Sequence, residues 1–172
     1  RLSGPLNITA LQKSLGTIVG RHEALRTTFR AVDGIPQQVI SKNRSIELGM
    51  TDLGEWPPSE RERELRRLLR EKASLPFNLC SDLMLRVTLI RLEEDEHVLL
   101  IVMHHIASDG WSIANFCREV AVLYEAFCSR RPSPLPELDL QYADFAVWER
   151  YRLQGKLLDK ELSYWREQLR GA

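Results

Sequence analysis

The feature that most constrains the fold is an uninterrupted apolar run at residues 98–103, VLLIVM. Six apolar residues in a row are typical of a central strand in a sheet that is covered on both faces. The preceding segment, residues 83–92, alternates apolar with more polar side chains, as a half-buried strand does, and the charged residues 93–96 form the turn between them. The run is far shorter than the roughly 18 residues of a membrane-spanning helix. The sequence therefore predicts a domain layered around a sheet.

Helical and strand patterns alternate irregularly along the rest of the chain. Apolar side chains recur at helical spacing in residues 8–20, in a strongly charged stretch from residue 57 to the break at Pro76, in a long helix after Gly110, and in residues 142–153 and 158–169. Strands are predicted at residues 25–30, 36–40 and, more weakly, 45–50, with Asp33-Gly34 as a hairpin turn. Because no strict alternation of strand and helix is present, we predict an α+β fold with a mixed sheet and packed helices.

Charge and cysteine content narrow the classes of function. Twenty-four basic residues balance twenty-four acidic ones, so no global field would recruit nucleic acid or an anionic membrane. The three cysteines, Cys80, Cys117 and Cys128, are an odd number without CxxC spacing, which argues against both a disulfide framework and a zinc site. We expect them to be buried free thiols in a cytoplasmic protein. The chain opens on Arg1 without an initiator Met, which suggests a segment of a longer polypeptide.

Chemically active side chains cluster where the apolar run ends. His104, His105, Asp109 and Gly110 lie within seven residues, in a loop that precedes a helix. Transfer of an acyl group to an amine requires removal of a proton from nitrogen and stabilisation of an oxyanion. Imidazole suits the first task, and backbone N–H groups of the loop and the following helix can serve the second. Adjacent residues at a strand end point to opposite faces, so only one histidine can face a given substrate. Asp109 can orient an imidazole or pair with an arginine, and Gly110 permits a close turn.

Three other interpretations remain open from these residues alone. The histidine pair can be satisfied polar groups of a core. A metal ion can be shared by His and Asp, although the other histidines, His22 and His97, come without cysteine pairs and a closed zinc site needs four ligands. Ser108 or Ser112 can act as a nucleophile with a histidine base, although no GxSxG elbow is present.

Three blocks of the sequence resemble the condensation domains of nonribosomal peptide synthetases. They are RHEALRTTF at residues 21–29, MHHIASDGWS at residues 103–112 and YADFAVW at residues 142–148, similar to the family's RHExLRTxF, HHxxxDG and YxDFAVW blocks. The blocks occur in the family's order across nearly the whole chain. The HxxxDG pattern alone is also shared by plant acyl-CoA-dependent acyltransferases and chloramphenicol acetyltransferase.

The resemblance implies a chloramphenicol-acetyltransferase-like fold of two lobes, with a channel between them and a carrier protein at each mouth. It implies that His105 faces the channel and acts on the acceptor amine, as a base or by positioning it. His104 and Asp109 are expected to be structural, with Asp109 in a salt bridge to Arg26 rather than Arg21. The implied partners are donor and acceptor peptidyl carrier proteins, which supply phosphopantetheine, and an adenylation domain in cis. No metal or other directly bound cofactor, nucleic acid or membrane is implied.

The resemblance also bears on the subtype and on the extent of the domain. The form MHHIxSDGWS resembles domains that join an L-configured donor to an L-aminoacyl acceptor, and heterocyclization domains, which carry aspartates in place of the histidines, are excluded. A dual epimerization/condensation subtype remains open. Residues 1–172 are expected to be the N-terminal lobe, without its first block and without the C-terminal lobe, so that apolar surface is exposed. A non-catalytic module that binds carrier proteins, and an acyltransferase that uses coenzyme A, are the alternative functions.

Overall fold

The computed structural model describes residues 1–42 and 44–171. The chain forms two compact units, unit 1 at Arg1–Glu137 and unit 2 at Leu138–Ala172. In the described part of the chain, no helix combines the length and the apolar character needed to cross a bilayer.

Unit 1 contains six strands and three α-helices in its described residues. The strands are β1 (Leu2–Ser3), β2 (Thr27–Val32), β3 (Ile35–Ile40), β4 (Leu48–Asp52), β5 (Leu85–Glu93) and β6 (Glu96–Met103). The helices are α1 (Ile8–Arg21), α2 (Pro58–Ser74) and α3 (Gly110–Cys128), with a short 3-10 helix at Glu23–Arg26. The predicted elements are all present with shifted bounds, and the two-residue β1 is an addition.

The main sheet is mixed, as predicted. Its strand order is β1-β6-β5-β4, with β6 antiparallel to both of its neighbours and β4 parallel to β5. Strands β2 and β3 form a separate antiparallel hairpin. Asp33 and Gly34 in its turn both have positive φ, 52° and 77°, the conformation that a two-residue turn of this kind requires. The predicted α+β fold with a mixed sheet is confirmed.

Two hydrophobic clusters cover opposite faces of strand β5, because its side chains alternate in direction. Leu85, Val87 and Leu89 pack with α1 and α3. Ile90 and Leu92 pack with Leu65 of α2. In β6, however, residues 99–103 are only half-buried. The expectation that this strand is covered on both faces along its whole length is therefore wrong, because α2 covers only one end of the second face.

The cysteines correct a second expectation. Cys80, Cys117 and Cys128 are free thiols, but all three are exposed. Two of them lie on α3 outside the stripe that this helix buries, and Cys80 lies in the segment before β5.

Unit 2 contains two helices, α4 (Tyr142–Arg152) and α5 (Gly155–Gln168). Tyr142, Phe145 and Trp148 form a row of neighbouring rings on α4, with centroids 5.9 Å and 5.7 Å apart. The guanidinium of Arg152 lies 5.0 Å from the centre of the Trp148 ring. No described residue of either helix is buried. The third sequence block thus forms a helix that presents aromatic side chains.

Candidate active site

The loop that joins β6 to α3 carries the predicted site residues. Its first residue, His104, extends the strand pairing because its N–H donates to the carbonyl of Met84 at 3.1 Å. The carbonyl of His104 then accepts from the N–H of Ala107 at 3.0 Å and from the hydroxyl of Ser108 at 3.2 Å. The backbone of His104 therefore holds both the end of the strand and the turn that follows it.

His104 is directed into the protein. Its Nδ1 accepts the N–H of Ile106 at 3.0 Å, so a neutral His104 ring carries its proton on Nε2. The ring is half-buried and meets Phe77 edge to face, with centroids 5.6 Å apart and planes at 83°. The guanidinium of Arg86 stacks on the same phenyl ring at 4.0 Å. His104 is thus a half-buried polar group that is hydrogen-bonded within its own loop.

His105 has the opposite environment, as the alternation of side chains predicts. It is exposed, and among the described residues its ring takes part in no hydrogen bond or ion pair. The charge of His105 is one of the causes that lower the pKa of Asp109. Both ring nitrogens of His105 are therefore open to a ligand, and the interpretation as a core histidine does not apply to it.

Asp109 is the N-cap of α3. Its carboxylate accepts the backbone N–H of Ser112 at 2.8 Å and the Ser112 hydroxyl at 2.6 Å, while the N–H of Asp109 donates to the Ser112 hydroxyl at 3.2 Å. These reciprocal bonds form a capping box. The hydrogen bonds from Ser112, with smaller contributions from the Trp111 N–H and the charge of His105, hold the pKa of Asp109 below its usual value.

The expected salt bridge between Asp109 and Arg26 does not form. Arg26 donates instead to the carbonyl of Ser41 at 2.7 Å and to the carboxylate of Glu23 at 3.3 Å. The physical reason is proximity, because Ser112 offers Asp109 two donors within one helical turn and Arg26 has nearby acceptors of its own. Arg26 therefore anchors the segment around the 3-10 helix and the β2–β3 hairpin, away from the Asp109 carboxylate.

Gly110 is the first residue of α3, and its φ is not in the left-handed region. A Cβ built on it would meet no atom within 4 Å. The backbone conformation at this position is therefore one that residues other than glycine also adopt. What glycine does at this position is to leave open space at the start of the helix.

Several backbone N–H groups of the loop already have hydrogen-bond partners and are therefore not free to stabilise an oxyanion. The amides of Ile106, Ala107 and Asp109 donate within the loop and its cap. Those of Trp111 and Ser112 are directed at the carboxylate of Asp109. The prediction that backbone amides stabilise an oxyanion therefore concerns the remaining N–H groups, those of His105, Ser108 and Gly110.

The serine and metal interpretations find no assembled site in the described part of the chain. The hydroxyl of Ser108 donates to the His104 carbonyl, and that of Ser112 donates to Asp109. Among the residues that the structure describes, no group of three or more His, Cys, Asp or Glu side chains converges as metal ligands would.

Sequence reasoning missed one polar residue close to this loop in the chain. Glu119 of α3 is buried, 8% exposed, and its carboxylate contacts Arg21 and His22 of the first sequence block. A signal was available, because Glu119 stands three residues after Phe116 and four before Leu123, on the helix stripe that faces the core.

Comparisons with known proteins agree with the geometry. A family model described as Condensation domain matches residues 1–172. The chain is 48% identical over 172 residues to part of a linear gramicidin synthase from Brevibacillus parabrevis, covering all of this chain and 3% of that protein. It is 43% identical over 168 residues to chondramide synthase cmdD of Chondromyces crocatus, covering 98% and 4%.

Among solved structures, the X-domain from teicoplanin biosynthesis superposes with a TM-score of 0.87 at 33% identity, covering 99% of this chain and 37% of that one. The complex of that X-domain with OxyB gives the same values. The chain therefore spans a small part of the synthases and just over a third of the X-domain chain.

Proposed function

This chain belongs to the condensation domain family, and on that premise we propose that it takes part in amide bond formation during nonribosomal peptide synthesis. The observation that carries the proposal is the exposed imidazole of His105 at the end of β6. It belongs to a loop that His104 and Asp109 hold in place from either end. The fold, α+β of the chloramphenicol-acetyltransferase-like type, is that of the family.

In the proposed reaction the acceptor amine attacks the thioester carbonyl of the donor. A C–N bond forms, the C–S bond breaks, and the departing thiolate takes up the proton that the nitrogen loses. His105 either accepts that proton as a base or orients the amine through a hydrogen bond, since its ring nitrogens have no other partner among the described residues. His104 and Asp109 support this loop, Gly110 leaves space at the start of α3, and Arg26 holds the segment around the 3-10 helix and the β2–β3 hairpin.

The proposed substrates ride on the phosphopantetheine arms of a donor and an acceptor carrier protein, with an adenylation domain in cis. The proposed roles need no cofactor bound by this chain and no nucleic acid or membrane partner. We propose further that residues 1–172 are the N-terminal lobe of the domain and that the domain joins an L-configured donor to an L-aminoacyl acceptor. Support for this subtype comes from the sequence MHHIASDGWS at residues 103–112.

Replacement of His105 tests the proposal. In the intact protein, His105→Ala is expected to lower dipeptide formation from two loaded carrier proteins by about 10²-fold or more, because proton transfer by a positioned side chain contributes that much. Thermal unfolding should be unchanged, since the imidazole is exposed. Product release followed by mass spectrometry measures the first effect and circular dichroism the second.

Cys117→Ser, at an exposed position further along α3, is the control and should leave both readouts unchanged. Dipeptide formation by His105→Ala at close to the wild-type rate would contradict the assignment. Equal use of free coenzyme A thioesters and carrier-bound thioesters would favour the coenzyme A acyltransferase instead.

A binding function is the second candidate, and one observation favours it. The X-domain that superposes with this chain was solved in complex with another protein, OxyB. That X-domain therefore binds another protein, and the similarity supports a binding function for this chain as the second candidate. The intact wild-type protein binding loaded carrier proteins without forming any amide would support that function over catalysis.

A further inference from the structure

Glu119 is a carboxylate in the hydrophobic core of unit 1. Its side chain is 10% exposed, and its neighbours on the same stripe of α3, Phe116 and Leu123, are buried. Burial of a carboxylate costs free energy unless charges and hydrogen bonds compensate it. The residue must therefore be held by specific partners.

Those partners both come from the end of α1. Oε2 of Glu119 lies 2.7 Å from Nε2 of His22 and 3.3 Å from Nε of Arg21. Arg21 also donates to the backbone carbonyl of Pro136. Arg21 is the last residue of α1 and His22 its C-cap, where the helix dipole favours cationic groups. The cluster thus fixes α3 to the end of α1 and to the segment that follows α3.

A buried ion pair is weak evidence for net stability, because well-packed apolar residues of similar volume are often as stabilising. Its fixed geometry is the property on which the inference rests. Helix α3 also packs on α1 through buried apolar side chains, Phe116 and Leu123 among them. Beyond that packing, the described residues form two further contacts, the Asn7 N–H to the Tyr124 hydroxyl at 2.9 Å and Lys13 over the Phe127 ring at 4.2 Å. The Glu119 cluster is nearer to the N-terminus of α3 than either of them. Ten residues of helix, about 15 Å, separate it from Asp109.

We propose that Glu119 is a positioning residue for His105, acting through Arg21, His22 and helix α3. The loop before α3 is held at one end by β6, through the His104 N–H and the Met84 carbonyl, and at the other by the cap at Asp109. A shift of α3 relative to α1 therefore moves the capped end of the loop while the strand end stays in place. The effect that we expect on kcat rests on the proposed function. The effect that we expect on the mobility of the loop rests on geometry alone.

Hydrogen exchange on the intact protein tests the structural consequence. Glu119→Ala is expected to speed exchange of the backbone amides at residues 105–112 by about 10-fold or more, because the start of α3 loses its anchor. Glu119→Gln keeps the shape and hydrogen-bonding capacity, so its effect should be smaller, about 3-fold. Glu125→Gln removes an exposed glutamate of the same helix, 80% exposed and paired with Arg131, and is the matched control with no expected change.

Kinetics test the functional consequence. For dipeptide formation, Glu119→Ala should lower kcat by about 10-fold to 100-fold, as displacement of a catalytic group by a fraction of an ångström or more does. The KM for the loaded acceptor carrier protein should stay within about 2-fold of the wild-type value, because Glu119 is buried and its side chain is not available to contact a carrier protein. Glu119→Gln should recover part of the lost kcat, and assays are run well below each variant's Tm.

The outcomes separate the two hypotheses. If Glu119→Ala exchanges faster at residues 105–112 but the wild-type protein forms no amide, the proposed function is overturned and the positioning role stands. Unchanged exchange and unchanged kcat in folded Glu119→Ala would overturn the positioning role, whatever the chemistry. If Glu119→Ala does not fold, Glu119→Gln decides, and exchange and kcat equal to those of Glu125→Gln would overturn the inference.

Discussion

At the scale of single residues, one carboxylate connects the candidate catalytic loop to the helix behind it. Asp109 satisfies the N–H of Ser112, which otherwise has no partner in the first turn of α3. The same carboxylate lies close enough to His105 for the two charges to interact. Loss of the Asp109 side chain therefore removes the cap of α3 and destabilises both the helix and the loop. Loss of its charge alone removes mainly the interaction with His105.

Two substitutions of Asp109 separate these effects. Asp109→Ala should lower the Tm by about 3 °C, because a capping side chain is lost, and should lower amide formation as well. Asp109→Asn should keep most of the stability, since asparagine is an equally good N-cap. Differential scanning calorimetry checks both. Full stability of the alanine variant together with loss of activity would contradict a structural role and indicate direct participation in the chemistry.

The pH dependence of stability follows from the lowered pKa of Asp109. In the unfolded chain this group has its ordinary pKa near 3.8. Because the folded pKa is lower, the contribution of Asp109 is fully present above that value and is lost as the pH falls below it and through the folded pKa. The difference in Tm between wild type and Asp109→Asn should therefore change in acidic solution, below a pH of about 5. A difference that stays constant from a pH of about 5 down to about 2 would contradict this assignment.

Sequence reasoning identified the loop residues but not all of their partners. His104 and His105 were expected in different environments because strand geometry is local and periodic, and they are. The predicted partner of Asp109, Arg26, was wrong, because the choice between Ser112 and Arg26 depends on tertiary distances that the spacing of residues in the sequence does not give. Glu119 was missed because an acidic residue on an apolar stripe is recognised only when its two partners, 97 and 98 positions away, are in view.

At the scale of elements, helix α3 depends on its buried stripe. Leu123 is fully buried in the cluster between α1, α3 and β5. The next helix residue toward the N-terminus, Val122, is 37% exposed. Neighbouring positions on one helix thus offer an internal comparison of buried and exposed side chains.

Leu123→Ala should destabilise the protein by about 2–5 kcal/mol, because it removes buried methyl groups and leaves a cavity. Val122→Ala should change the free energy of unfolding by about 0.5 kcal/mol or less, as surface substitutions do. Urea denaturation followed by circular dichroism measures both. Similar losses for the two variants would show that α3 is not oriented as described.

Long periodic elements could be predicted from the sequence, whereas short or context-dependent ones could not. The charged helix α2 and the hairpin at Asp33-Gly34 follow from local patterns of charge, periodicity and turn chemistry. Strand β1 has two residues and exists only through its pairing with Glu96 and His97, which no local pattern reveals. The exposure of Cys117 depends on the rotational setting of α3, which tertiary packing determines.

At the scale of the whole molecule, large apolar side chains remain exposed in both units. On α3 the exposed fractions are 82% for Trp111 and 50% for Ile113. On α4 they are 71% for Val147 and 81% for Tyr151. The expected exposure of apolar surface is thus present. Our proposal that residues 1–172 are one lobe of a larger domain gives that surface a partner, because soluble proteins rarely leave large apolar patches open to water.

The lobe proposal makes a prediction that compares the isolated 172-residue chain with the full-length protein. Ile113→Glu should change the stability of the isolated chain by about 0.5 kcal/mol or less and should lower its binding of a hydrophobic dye. In the full-length protein the same substitution should be strongly destabilising, because a charge would then be placed in an apolar contact without a counter-ion. Thermal unfolding of both forms measures the difference.

Arg118→Glu, an exposed position on the same helix, controls for the added charge. Equal and small effects of Ile113→Glu in the two forms would show that this face of α3 stays open to water in the complete protein.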